Sequence, residues 1–319
     1  MNWISNWKKI GIKVKQILKK QPTEQQETDW KNCPQCKKIS YLPDLITNSY
    51  ICECSFHFDL PPKLRLDDLF DSTYKIIEPT ENINPDPLNF EVKERYKYID
   101  KIKKYRKITG QKTALMCASG NISNLPAVVV CFNPKFGGGR FGPAENEYFL
   151  KAANFAIQKK VSIWIVVYQS SGIDVHTGVT GLAGMTKSII AMNKIKKNNI
   201  PTFCVAARAT AGGTYASSFF MHDLIIIESK CVENLLFSGK RVTANILKGT
   251  DQIPDDFGTG SGVMKSGFAD IILENRKELK DTITKLASII LKKEESKTQN
   301  AEEAYEDQED FKKTASTTS

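Results

Sequence analysis

The sequence lacks the features of a membrane-spanning or secreted protein. No apolar run approaches the roughly 18–20 residues needed to cross a bilayer. The longest candidate, Val161–Tyr168, is interrupted by Ser162 and preceded by two lysines. Residues 1–20 carry scattered lysines but no continuous apolar core of a secretory signal. We therefore expect no transmembrane segment, and a location in the cytoplasm or, for an organelle-encoded chain, in the plastid stroma.

Residues and motifs that carry common chemistries are also scarce. The chain has only three histidines among 319 residues. His176 and His222 have no serine and aspartate partners in a pattern that would support a hydrolytic triad. Neither a G-x-G-x-x-G dinucleotide fingerprint nor a G-x-x-x-x-G-K-[ST] phosphate loop occurs. These absences disfavour triad hydrolases and the commonest nucleotide-binding classes.

The charge balance is modestly basic, with 45 Lys and Arg against 36 Asp and Glu and a net charge of +9. Nine basic and two acidic residues fall within Lys93–Lys112. In that stretch Tyr98, Ile102 and Tyr105 recur at helical spacing, which predicts a helix with a basic outer face. Such a face attracts nucleic acid, but it is more often simply solvated.

Four of the eight cysteines are clustered as Cys33, Cys36, Cys52 and Cys54. Two cysteine pairs separated by a hairpin-length segment are typical of a structural Zn²⁺ ribbon. We expect Tyr41–Ile51 to supply two short strands that bring the pairs together. The second pair, C-x-C, is one residue shorter than usual, so His57 is an alternative fourth ligand and a ribbon without metal stays open. The other cysteines are scattered and predicted to be reduced thiols: Cys117, Cys131, Cys204 and Cys231.

Composition predicts four regions. They are an N-terminal tail at 1–30 with a short amphipathic helix, a zinc ribbon at 31–60, an α/β domain at 61–292, and a disordered polar tail at 293–319. In the α/β domain, strands alternate with helices. The predicted strands are Thr113–Ser119, Pro126–Phe132, Ser162–Tyr168, Thr202–Ala207 and Leu224–Glu228. The predicted helices are Glu145–Lys159, Gly178–Asn198, Gly213–Phe220 and Lys277–Lys292.

Glycine-containing turns follow three of the predicted strands. They are Phe136–Gly142, Ser170–Gly172 and Ala209–Thr214. Each could be an ordinary tight turn, but three at the ends of successive strands suggest a binding edge. Glycines let a backbone approach a ligand closely, and a helix that begins after them offers free N–H groups to an oxyanion.

The order of motifs resembles the carboxyltransferase β subunit of the multi-subunit acetyl-CoA carboxylase of bacteria and plastids. The resemblance covers the chain up to about Lys292 and depends on the motifs together rather than on any one of them. The matching pieces are the ribbon beginning Asn32-Cys33, Lys97–Ile102 leading to Thr109-Gly110, Phe136-x-Gly138-Gly139-x-x-Gly142, Met185-x-Lys187, Thr210–Ser217, Phe237–Val242, Ile253-Pro254-x-x-Phe257 and Gly267–Asp270.

This resemblance implies a crotonase-like spiral of ββα units with an N-terminal zinc ribbon. It implies an ATP-dependent holoenzyme in which the carboxyl group of carboxybiotin passes to acetyl-CoA to give malonyl-CoA for fatty acid synthesis. The implied partners are a carboxyltransferase α subunit in an α₂β₂ assembly, a biotin carboxyl carrier protein and biotin carboxylase. The implied oxyanion donors are the backbone amides of Gly212, Gly213, Gly172 and Ser171. The implied substrate-binding residues are Gly138, Gly139 and Gly142, and the implied zinc ligands are Cys33, Cys36, Cys52 and Cys54.

Two departures from the family pattern keep other readings open. The family's S-G-G-A-R-M turn is S-S-G-I-D-V here, so Ser171 replaces a glycine and Asp174 replaces an arginine. A non-catalytic subunit that keeps the fold is therefore one alternative. A zinc-ribbon protein with weak nucleic-acid binding is a second. A subunit of a related acyl-CoA carboxylase or decarboxylase is a third.

Overall fold

The computed structural model describes residues 29–92, 96–247 and 253–292. The predicted helix near Trp3 and the predicted disordered tail lie outside these ranges. The chain divides after Phe58 into two compact units, Met1–Phe58 and Asp59–Ser319, and each is described by itself. Within the described ranges, no helix is both long and apolar enough to cross a membrane.

The first unit holds an antiparallel pair of strands, β1 (Trp30–Asn32) and β2 (Ile39–Tyr41), followed by the short helix α1 (Leu42–Thr47). The prediction of two strands within Tyr41–Ile51 is therefore wrong. Pro43 lies in the first turn of α1, where its missing N–H costs no hydrogen bond, and Asp44 faces the positive end of the same turn. These local preferences favour a helix over a hairpin.

The second unit is built on an eight-stranded sheet. Its strands run in the order β12-β10-β9-β8-β7-β6-β3, and β11 pairs with β9 beside this path. The strands are β3 (Lys75–Ile76), β6 (Leu115–Ile122), β7 (Leu125–Phe132), β8 (Ile163–Ser170), β9 (Thr202–Ala211), β10 (Leu224–Ile227), β11 (Leu235–Leu236) and β12 (Ile271–Ile272). A separate two-stranded ribbon joins β4 (Glu91–Val92) to β5 (Tyr96–Lys97). From β7 to β12 every pairing in the large sheet is parallel.

Helices lie on both faces of this sheet. They are α2 (Pro62–Leu69), α3 (Tyr98–Thr109), α4 (Pro143–Gln158), α5 (Val179–Lys197), α6 (Gly212–Ala216), α7 (Lys240–Ile246), α8 (Gly260–Lys265) and the helical residues 279–292, here α9. The central strand β8 is buried along its whole length. Its alternate residues Trp164 and Val166 join the core beneath α4 and α5, whereas Ile165 joins the core beneath α2 and α9. Burial on both faces is expected of a parallel strand between helical layers.

The five predicted strands and the order of the helices are confirmed, with two differences. The predicted helix Gly213–Phe220 is broken at Ser217, where φ is −115° and ψ is −101°, and it continues as a 3₁₀ turn at Ser218–Met221. Among the described residues of Lys93–Lys112, the predicted basic helix forms at Tyr98–Thr109, and Gly110 ends it in the left-handed conformation with φ +66°.

Candidate functional site

Three loops meet where β7, β8 and β9 end. Parallel strands place their carboxyl ends at the same edge of a sheet, and ligands bind at such edges in open α/β folds. We call residues 136–142 the first glycine turn, 170–174 the second and 210–214 the third. The predicted glycine motifs lie at the ends of successive strands, but the second begins in the last residue of β8 and the third, Ala209–Thr214, in the last three residues of β9. The strand order places the three turns side by side.

The first and second glycine turns are joined by hydrogen bonds along their length. The bonds run from Ser171 N to Gly138 O at 2.8 Å, from Phe141 N to Gly172 O at 3.0 Å, from Asp174 N to Phe141 O at 3.1 Å and from Ser170 Oγ to Gly139 O at 2.7 Å. Three of the four are backbone bonds, so the two turns form a short ladder beyond the end of the strands.

The glycines of the first turn allow this close contact. A Cβ atom at Gly139 would overlap the carbonyl oxygen of Gln169, and one at Gly138 would lie 2.9 Å from Ser171 Oγ. A Cβ atom at Gly142 would overlap the guanidinium of Arg140. Protein atoms therefore fill the space beside all three predicted substrate-binding glycines: Gly138, Gly139 and Gly142. Their direct contact with substrate stays a prediction.

The second and third glycine turns also touch through glycines. Gly172 has φ +106°, and a Cβ atom there would lie 2.8 Å from the carbonyl oxygen of Ala211. Gly212 has φ +61°, and a Cβ atom there would lie 3.6 Å from Gly172 Cα. Side chains at these two positions would separate the turns or strain the backbone.

Three of the four predicted oxyanion donors already give their N–H groups to protein acceptors. Ser171 N donates to Gly138 O at 2.8 Å, and Gly212 N donates to Phe237 O at 3.1 Å. Gly172 N donates to Ser170 Oγ at 3.1 Å. Of the predicted set, Gly213 alone has an amide without an acceptor among the described residues.

Sequence reasoning missed a second open amide, that of Ile173. Within the described ranges no acceptor faces Ile173 N, although the amides before and after it are both bonded. The Ile173 side chain also lies against the start of α6, because a Cβ atom at Gly213 would overlap its Cγ1. The acceptor of the following amide, Phe141 O, lies in the first turn, so the local sequence does not mark Ile173 as the open position.

A buried charged cluster flanks the first two turns. Arg140 Nη2 lies 3.0 Å from Asp174 Oδ2 and 3.4 Å from Glu145 Oε2, and all three side chains are at most 4% exposed. Burial lowers the pKa of Arg140, but the two carboxylates more than offset this effect and the pKa is raised. Asp174, which replaces the arginine of the family pattern, is therefore buried against Arg140.

The four cysteines of the first unit form the other candidate centre. The Sγ atoms of Cys33, Cys36, Cys52 and Cys54 all lie within 4.8 Å of one another, and His57 is not part of the group. Burial raises the pKa of Cys33, but hydrogen bonds from the backbone amides of Cys36 and Gln35 and with the thiols of Cys54 and Cys36 together lower that pKa to about 7. Four thiol ligands from two loops are the donor set of a structural Zn²⁺ site.

Comparisons with known proteins show the family of this chain. The family model of the carboxyl transferase domain matches residues 93–318. An acetyl-coenzyme A carboxylase carboxyl transferase subunit beta from Pelagibacter ubique is 33% identical over 99% of this chain and 100% of its own length. The subunit of the same name from Hydrogenobaculum sp. is 33% identical over 85% of this chain and 96% of its own length.

Solved structures show the fold. Transcarboxylase 12S aligns with a TM-score of 0.55 at 18% identity. The alignment covers 72% of this chain and 41% of the transcarboxylase chain. A Pseudomonas malonate decarboxylase hetero-dimer aligns with a TM-score of 0.55 at 15% identity over 78% of this chain and 90% of its own.

The packing of the first turn can be tested with two alanine substitutions. Gly139→Ala combines a positive φ with a Cβ overlap, so it should lower the free energy of unfolding by at least about 3 kcal/mol. Gly110→Ala is the matched control, because Gly110 has a similar φ and no atom within 4 Å of an added Cβ. It should cost only the backbone strain, about 1–2 kcal/mol. Equal losses in urea denaturation would contradict the overlap.

Proposed function

This chain belongs to the carboxyl transferase family as a β subunit of the acetyl-CoA carboxylase type, with a crotonase-like α/β fold, and from this premise we propose how its site acts. It is a biotin-dependent transferase of fatty acid synthesis. We propose that its acceptor substrate is acetyl-CoA and its product malonyl-CoA, and that it acts in the cytoplasm or in the plastid stroma.

The chain's own contribution is to bind and polarise the thioester. When the acetyl methyl group loses its proton, negative charge builds on the thioester oxygen. Preorganised backbone N–H groups stabilise such an oxyanion, each by about 3–4 kcal/mol. Gly213 N lies in the first turn of α6, and Ile173 N lies in the turn that packs on it. We assign the oxyanion donors to these two amides.

The other predicted donors then have a supporting role. Gly172 and Gly212 let the two turns come together, and Ser171 N ties the second turn to the first. The Gly212 amide would become a third donor only if its contact with Phe237 O opened. Carboxybiotin, carried on a separate biotin carboxyl carrier protein and charged by biotin carboxylase, would supply the carboxyl group.

An apolar surface beside the turns favours a shared site. Val175 and Val179 are 82% and 79% exposed, and Leu182 and Phe237 are 56% and 65% exposed. Exposed apolar patches of this kind mark protein interfaces. We propose that a carboxyltransferase α subunit covers this surface in an α₂β₂ assembly and completes the pocket.

The donor assignment is tested by removing one N–H group. Ile173→Pro deletes the amide proton, and the glycine before it tolerates the restriction that proline imposes. In the assembled enzyme we expect kcat to fall at least about 100-fold, the effect of one lost oxyanion donor. Ile173→Ala is the control, since it shortens the side chain and keeps the amide, and its kcat should stay within about 5-fold of wild type. Malonyl-CoA formation is measured. Equal activity of the two variants would overturn the assignment.

The shared site makes a second prediction. Val179→Asp places a charge in the proposed interface, so assembly with the α subunit should weaken at least about 100-fold while the isolated chain stays folded. Ile289→Asp is the matched control, because Ile289 is 63% exposed on α9. Sedimentation velocity measures assembly, and circular dichroism measures folding. Turnover by the rigorously purified β chain alone would refute the shared site.

We also propose one structural Zn²⁺ held by the four cysteines. The first unit has a small core, so metal binding would supply part of its folding free energy. Cys36→Ser should reduce tightly bound zinc to less than about half an equivalent and disorder the first unit, since three ligands hold the ion less tightly. Cys231→Ser, which changes a cysteine outside the cluster, should keep a full equivalent. Metal analysis of both proteins decides, and wild-type protein without zinc would contradict the site.

A further inference from the structure

An ion pair links the first two glycine turns at the end of their ladder. Arg140 belongs to the first turn and Asp174 to the second, and their Nη2 and Oδ2 atoms are 3.0 Å apart. Both side chains are at most 4% exposed, so water screens their attraction little. Nε, Nη1 and Nη2 of Arg140 all lack a hydrogen-bond partner among the described residues, so its contacts with the carboxylates are ion pairs. Arg140 is therefore held mainly by its carboxylate neighbours.

Both carboxylate oxygens of Asp174 are held by neighbouring groups. Tyr98 Oη donates to Oδ2 at 2.5 Å, and the backbone N of His176 donates to Oδ1 at 3.1 Å. His176 Nδ1 lies 2.9 Å from Oδ1, and its ring stacks on Tyr98 with centroids 4.0 Å apart. Glu145 Oε2 lies 3.4 Å from the same Nη2 atom of Arg140, and Glu145 Oε1 accepts from Ala114 N at 3.0 Å.

This cluster sits next to the open amide of the second turn. Asp174 directly follows Ile173, and its backbone N donates to Phe141 O at 3.1 Å. The Asp174 side chain is anchored to Arg140, whose own backbone directly precedes Phe141. The stretch that carries Ile173 is therefore held to the first turn both by the backbone ladder and by the ion pair.

We propose that Arg140 and Asp174 are positioning residues that set the direction of the Ile173 amide. The proposal rests on the proposed function of that amide. It also explains the departure of this chain from the family pattern at position 174. The family pattern has an arginine at position 174. In this chain position 174 supplies a carboxylate instead, and the cation comes from Arg140 in the adjacent turn. Arg140 is the one cation that the buried carboxylates of Asp174 and Glu145 share within the cluster described here.

A double-mutant cycle tests the coupling. Asp174→Arg alone restores the family residue but buries it against Arg140, and Arg140→Ala alone leaves two carboxylates without their cation. Both changes should lower the melting temperature and reduce kcat of the assembled enzyme at least about 100-fold, the cost of a misplacement of about 1 Å. The double variant keeps one cation beside Glu145, so its kcat should recover to within about 10-fold of wild type.

A conservative variant separates positioning from stability. Asp174→Asn keeps the shape of the side chain and removes its charge, so the assembled enzyme should lose about 10-fold in kcat while KM for acetyl-CoA changes less than about 2-fold. Asp223→Asn is the control, because Asp223 pairs with Lys196 at 2.9 Å and binds Thr202 at the amino end of β9. It should lower the melting temperature and leave kcat unchanged.

The outcomes are distinct. A double variant no better than the worse single variant, or an Asp174→Asn enzyme with wild-type kcat, would overturn the proposal. Failure of the proposed function would appear in the wild-type assembly, which would form no malonyl-CoA, and as equal activity of Ile173→Pro and Ile173→Ala. In that case the melting temperatures of the two single variants and the double variant would still report the coupling between positions 140 and 174.

Discussion

The contact between the first and second glycine turns is the constraint on which the rest of the site depends. The carbonyl oxygen of Gln169 occupies the space that a side chain at Gly139 would need, and Gly139 has φ +69°. The second turn can lie flat on the first only because this position has no Cβ. The third turn then rests on the second through Gly172 and Gly212. A displacement at the first turn would therefore reach the start of α6 through two layers of backbone.

The sheet could be predicted from sequence because its strands are nearly continuous apolar runs, which is what burial on both faces requires. Their ends were less certain. β9 extends to Ala211, although Arg208 and Ala209 do not read as buried strand, because the end of the strand pairs with β11 at Thr210 and Ala211. That pairing joins residues about 25 positions apart, so no local pattern predicts it. In the first unit, by contrast, Pro43 and Asp44 are a local signal for the start of a helix. The strand prediction there followed the cysteine spacing instead of this signal.

The candidate site was predictable as a place but not as a set of donors. Glycines after strands mark where backbone can approach a ligand, and that inference needs only local sequence. Whether a given N–H group is open depends on which acceptor the fold brings to it. Gly212 loses its amide to Phe237 O, a residue 25 positions later, whereas Gly213 keeps its own. Adjacent glycines in one motif thus differ in function for a reason that lies elsewhere in the chain.

The charge at position 174 shows why a single departure from a family pattern is a weak guide to activity. Taken alone, an aspartate in place of an arginine reverses a charge and suggests a damaged site. In the fold, Asp174 is buried and its counter-ion is Arg140, with Tyr98 donating a hydrogen bond to the carboxylate. Removing one member of a buried pair leaves an uncompensated charge, whereas changing both can preserve the balance. The aspartate at position 174 must therefore be considered together with Arg140, its neighbour in space. Together the two residues keep the second turn closed on the first.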